Sequence, residues 1–126
     1  PALCDQQASV RMLPPLARER MGAAYLDADV VLNTSMSEGA APTLLEAGIL
    51  GRPVIASDVP GNRELIRHKD TGLLFQDEDE MVKQIMALYR NRSAAGALGV
   101  RIREDFGKRF DAEREIRSLL SAYAAA

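Results

Sequence analysis

The sequence predicts an α/β fold, a parallel sheet flanked by helices, and three observations point to it. Short apolar runs of strand character at 29–33, 54–56 and 72–75 are separated by segments whose apolar residues recur every three to four positions. The connections have crossover length rather than hairpin length, which joins neighbouring strands in parallel. After Asp77 the strand pattern stops, and helical spacing carries on to the end of the chain.

Taken in order, residues 9–13 (SVRML) alternate polar with apolar side chains and are closed by Pro14 and Pro15, which predicts a first strand. Met21, Ala24 and Tyr25 predict a helix over 17–27, and residues 29–33 a second strand. A loop of small residues follows. Pro42 suits the first turn of a helix, where its missing N–H has no partner to lose. That helix runs through Leu44, Leu45 and Ile49 until Gly51 supplies a left-handed terminal residue. A third strand is expected at 54–56, a turn at 58–62, a short helical segment at 64–68 and a fourth strand at 72–75. Three amphipathic helices close the chain, marked by Met81, Ile85, Leu88 and Tyr89, by Leu98, Ile102, Phe106 and Phe110, and by Ile116, Leu119, Leu120 and Tyr123. Ser93 and Asp111 are their candidate N-caps. About four strands is few for a doubly wound sheet. Residues 1–126 are therefore expected to form one partial domain.

Composition narrows the function classes. The chain is 47% hydrophobic, enough for an ordinary core. Sixteen basic against eighteen acidic residues, with no basic cluster interleaved with aromatics, argue against nucleic-acid binding. Cys4 is the single cysteine, so no internal disulfide can form, and a reducing cytoplasmic setting is the simplest expectation. No apolar run approaches the roughly 20 residues of a membrane span. No His/Cys cluster suggests a metal, and none is expected.

The chemistry concentrates in residues 33–48, NTSMSEGAAPTLLEAG. Ligands of open parallel sheets bind outside the carboxyl ends of the strands, where the next helix begins. Gly39, Ala40 and Ala41 carry nothing larger than a methyl, so a ligand can approach the main chain, and the first N–H groups of the Pro42 helix favour an anion such as a diphosphate. Glu38 lies before this helix and Glu46 about one turn into it. Carboxylates only accept hydrogen bonds, and sugar hydroxyls donate them. A diphosphate with a sugar at each end uses both acids, which describes a nucleotide sugar.

These residues resemble a known family. Glu38 and Glu46 stand in the Glu-x7-Glu spacing of retaining glycosyltransferases with the GT-B fold, the family 1/family 4 group. The flanking text is similar too: Ala28-Asp29-Val30, Ser37-Glu38-Gly39, Leu45-Glu46-Ala47, Gly51-Arg52-Pro53-Val54-Ile55-Ala56 and Thr71-Gly72-Leu73-Leu74-Phe75 occur in the family's order. Residues 33–39 and Pro60-Gly61-Asn62 look closest to the branch of glycosyltransferase 1 domain-containing proteins. The resemblance covers nearly all of the chain and implies a Rossmann-like C-terminal domain of a GT-B enzyme. It implies that Glu38 is the catalytic-site acid beside the donor sugar and diphosphate, and that Glu46 binds the ribose hydroxyls. It also implies that the main chain around Gly39, Ala40, Ala41, Pro42, Thr43 and Leu44 holds the phosphate or sugar, with Pro42 giving no N–H. Relatives often have Leu-Pro-Asn after the Glu-Gly pair, where this chain has Ala40-Ala41-Pro42-Thr43.

The nucleotide-sugar donor is thus the expected substrate, with no further cofactor, and the acceptor is not identified. The family's acceptor-binding N-terminal domain and its Arg/Lys pair on the leaving diphosphate have no counterpart in this sequence. Removing that cation forfeits a large electrostatic stabilisation, so the chain alone is expected to lack appreciable transfer activity. Two other functions fit the same scaffold. One is a nucleotide-sugar epimerase, for which His68 is the candidate acid/base histidine; the other is a non-catalytic nucleotide-binding or interaction module. His68 otherwise reads as a surface residue, while Asp58 and Asn62 fit either turn formation or ligand contact. The apolar face around Ile116, Leu120 and Tyr123 is expected to be exposed and to support self-association.

Overall fold

The computed structural model describes residues 9–36 and 41–111, together with residues 113, 114, 116, 117, 119 and 120. The described chain runs α1 (Arg18–Asp27), β1 (Val31–Asn33), α2 (Pro42–Ile49), β2 (Val54–Ser57), α3 (Pro60–Leu65), β3 (Leu73–Phe75), α4 (Glu78–Arg90) and α5 (Arg92–Arg109). Residues 113, 114, 116, 117, 119 and 120 are helical as well. The strands form one parallel sheet in the order β1-β2-β3. Val31 pairs with Val54, and Ile55 with Leu73. The expected α/β class is therefore what the structure shows.

Local chemistry explains most element boundaries. Pro42 and Pro60 occupy the first turns of α2 and α3. Gly51 adopts φ 75° just past α2, the left-handed position expected of it. Asp77 caps α4 by accepting from the Glu80 N–H at 2.8 Å.

Four expectations need correction. Residues 9–13 form no strand: Val10, Met12 and Leu13 are exposed, and no described strand pairs with them, so alternation alone brought neither a ladder nor burial. The segment 58–62 is not a free turn, because Pro60 starts a helix there, which ends at Leu65 instead of continuing to 68. Asn91 rather than Ser93 caps α5, its side chain accepting from Ala94 at 3.0 Å. The face carrying Ile116 and Leu120 is not exposed, since both pack against the core in which Leu119 is fully buried. The self-association expected of that face loses its basis; Tyr123 lies outside the described residues.

Each face of the sheet has its own core. On one, Val54 and Ala56 meet Tyr25, Leu44, Ala47, Ile49, Ile102, Phe106 and Leu119; on the other, Ile55 and Phe75 meet Leu88, Ala95 and Leu98. This two-layer burial is what locks a short parallel sheet. It also fixes α2, whose first turn faces the functional region, against α5.

Candidate functional site

β1 delivers the chain to the site. Beyond Asn33, the Asn33 side chain accepts from the Ser35 N–H at 3.0 Å. The buried Asn62 of α3 donates to the Ser57 carbonyl at 2.9 Å, to the Ser57 hydroxyl at 3.3 Å and to Asn33 at 3.5 Å. The Ser57 hydroxyl in turn donates to the Ser35 carbonyl. These bonds tie the exits of β1 and β2 together. Asn62 thus serves the protein's own main chain, and the turn-or-ligand question is settled toward structure.

A cleft of about 690 Å³ opens at the carboxyl ends of all three strands. Its wall comprises Thr34, Ser35 and Met36 after β1, Ser57, Asp58 and Val59 after β2, and Phe75, Gln76 and Asp77 after β3, with Arg63, Glu78 and Met81 from the adjoining helices. Doubly wound sheets bind ligands at this edge. Asp58 pairs with Arg63 at 2.5 Å, and this hydrogen bond holds its carboxyl below the usual carboxylate range against the opposing effect of burial. The sequence marks none of Arg63, Gln76, Asp77, Glu78 and Met81 as a site residue, because nothing local announces that three separate strand ends converge.

Glu38, Gly39 and Ala40 lie outside the described residues, between the cleft wall at Met36 and the start of α2. Ala41 precedes α2 in an extended conformation, with Pro42 next. The Leu44 and Leu45 N–H groups return to the Ala41 carbonyl at 3.1 and 3.3 Å, so the Leu44 amide is committed to the helix. The Leu44 side chain is fully buried.

Glu46 sits one turn into α2 and is 8% exposed. It is not on the cleft wall. One carboxylate oxygen, Oε2, accepts from the Tyr25 hydroxyl at 2.8 Å, and the other, Oε1, from Arg18 Nη1 at 2.7 Å. Burial, and next the bond to Glu46, push the Tyr25 phenol up to about 12, while Thr43 and Arg18 pull the other way. Tyr25 therefore remains a proton donor across the neutral range. His68 lies away from the cleft wall, exposed, with its Nδ1 accepting from the Leu74 N–H at 2.9 Å. Among the described residues no group of three or more His, Cys, Asp or Glu is arranged to hold a metal, and no helix is long and apolar enough to cross a membrane.

A profile of the family described as glycosyl transferases group 1 matches residues 2–109. The chain belongs to this family. Among curated group 1 relatives and similar proteins, glycosyltransferase 1 domain-containing protein 1 of Xenopus tropicalis is 38% identical over 74 residues, covering 59% of this chain and 21% of that protein. The D-inositol 3-phosphate glycosyltransferase of Geodermatophilus obscurus is 35% identical over 121 residues, covering 93% of this chain and 26% of that protein. Sucrose-phosphate synthase from Thermosynechococcus elongatus superposes with a TM-score of 0.81 at 25% identity, over 99% of this chain and 34% of the other. Anabaena HepE, solved in complex with UDP-glucose, superposes with a TM-score of 0.76 at 21% identity, over 99% of this chain and 35% of the other, a likeness of fold. The group 1 chain described here spans about a quarter of the length of these curated relatives. The GT-B resemblance read from the motifs agrees with the family and with these folds.

Proposed function

We propose that this chain forms the nucleotide-sugar-binding portion of a retaining glycosyltransferase, which passes a glycosyl group from a nucleoside diphosphate to an acceptor. The observation that carries the proposal is the cleft at the carboxyl edge of a group 1 family domain, whose wall includes Met36, two residues before Glu38 in the sequence. The complex of HepE with UDP-glucose supports the donor class.

In this proposal Glu38 lies beside the donor sugar and diphosphate. The main chain from Gly39 to Thr43 approaches the diphosphate, and the amino end of α2 favours its negative charge by roughly 0.3 to 1 kcal/mol where exposed and more where partly buried. Glu46 accepts from the ribose hydroxyls. The leaving diphosphate relies on protein donors without a metal. In this proposal the setting is cytoplasmic, where a lone cysteine such as Cys4 stays reduced. The epimerase alternative gains no group on the cleft wall from His68.

Calorimetric titration with UDP, GDP and ADP sugars tests donor binding. Selective binding of one of them, abolished by Glu46→Ala in a variant that still melts cooperatively, is the expected result; equal, weak binding of all three would overturn it. The chain by itself is expected to show no appreciable transfer, and turnover at enzyme-like rates would refute that part.

A further inference from the structure

We infer that Tyr25 and Arg18 are positioning residues for Glu46: Tyr25 anchors one carboxylate oxygen, and Arg18 holds the other until a vicinal diol of a bound nucleotide takes its place. The inference rests on the assignment of Glu46 to the ribose.

The two donors differ in their freedom. Tyr25 is 5% exposed and packed into the core with Leu44 and Ala47, so its hydroxyl is kept from water between Glu46 and Thr43. The ring is held by α1, the carboxylate by α2, and the 2.8 Å bond fixes the rotation of Glu46 Oε2. Arg18 is the first residue of α1, and its side chain is 52% exposed against 10% for Glu46. Its guanidinium is already half in water and can leave Oε1 at little cost, whereas a Tyr25 that swung away would leave Glu46 Oε2 buried without its donor. Oε1 is accordingly the exchangeable position.

The chemistry of exchange is matched. A carboxylate accepts and never donates, so an Arg18 N–H and a sugar O–H can serve Oε1 interchangeably. Arg18 keeps the buried Glu46 charge compensated in the empty protein, and its release exposes an acceptor already set in orientation by Tyr25. Because the phenol stays protonated well above neutral pH, the anchor persists with or without ligand. Such preorganisation lowers the ordering cost that binding must meet.

The test is calorimetry on this chain with whichever of UDP, GDP and ADP binds most tightly, and with its 2′,3′-dideoxy counterpart. Wild type should prefer the ribonucleotide. Tyr25→Phe should reduce that preference by about tenfold, the usual consequence of losing one hydrogen bond to a charged group, with affinity for the dideoxy ligand unchanged. The unchanged dideoxy affinity also reports that the variant is folded. Arg18→Ala should raise the ribonucleotide affinity by removing the competitor. Full retention of the ribonucleotide preference in Tyr25→Phe would overturn the anchoring role, and a loss in Arg18→Ala as large as that in Tyr25→Phe would overturn the exchangeable one. If wild type shows no ribonucleotide preference and Glu46→Gln changes nothing, the assignment of Glu46 to the ribose fails first, and this inference with it.

Discussion

Phe106 of α5 lies so close under Gly48 of α2 that a Cβ built on that glycine would stand 2.5 Å from the ring's Cε2. Ile102 Cδ1, at 2.8 Å, closes the same space. Both side chains are fully buried, so neither can retreat without disturbing the core. The contact sets how closely α2 seats on α5, and through α2 it sets where the loop after β1 must end.

Gly48→Ala should therefore destabilise the fold by about 1 to 3 kcal/mol, the range for overpacking a close-packed interior, despite alanine's better helix propensity. Urea denaturation measures it. A variant as stable as wild type would show that the interhelical space is looser than described.

Lys69 presents the opposite case. It adopts φ 68° in the turn between His68 and Gly72, with its N–H bonded to the Gly72 carbonyl at 2.8 Å. A non-glycine residue in that region costs roughly 1 to 2 kcal/mol, of which part is offset by the greater freedom of glycine in the unfolded chain. Lys69→Gly is expected to raise stability by about 0.5 to 1 kcal/mol, visible as a higher urea midpoint with an unchanged slope.

Asn62 is 1% exposed and donates to both the Ser57 carbonyl and Asn33. Replacing it with alanine leaves buried acceptors short of a donor, at about 1 to 3 kcal/mol. Because the same bonds tie Ser57 to the segment lining the cleft, nucleotide affinity should fall together with stability. Thermal melts and calorimetry on one preparation would reveal whether the two losses are linked.

Among the described residues, Asp58 and Asp105 contribute to the acid limb of stability. Asp58 is held below its ordinary value chiefly by the bond from Arg63. For Asp105, burial acts to raise it, but the bonds from Arg109 and Arg67 outweigh that and leave it lowered. A depressed folded-state pKa means the unfolded chain binds the proton more readily, so this stability is present above about pH 4 and is lost as pH falls through the folded values. Urea midpoints measured downward from pH 5 should drop, and the drop should be shallower in Asp58→Asn.

Tyr25 acts at the other end. Its phenol is raised to about 12, so the folded state favours the neutral form; the stability it contributes is complete below about pH 10 and disappears as pH rises toward 12. Ultraviolet titration should show a late phenolate component that is absent in Tyr25→Phe. If that variant's titration matched wild type, the environment assigned to Tyr25 would be wrong.

What the sequence determined by itself was local. The left-handed Gly51, the helix-starting Pro42, the helical spacing after Asp77 and the strand character of 54–56 all follow from backbone sterics and periodicity, which act within a few residues. The motif series also carried the family. Only the tertiary structure decided that residues 9–13 pair with no described strand, since a ladder depends on a neighbouring edge and not on alternation. It alone placed Arg18 and Tyr25 on the carboxylate of Glu46, across 28 and 21 residues of chain, and gathered Arg63, Gln76 and Asp77 around one cleft. Those meetings are set by how α1 and α2 pack and by which strands lie side by side, and side-chain packing over such separations leaves no periodic trace in the sequence.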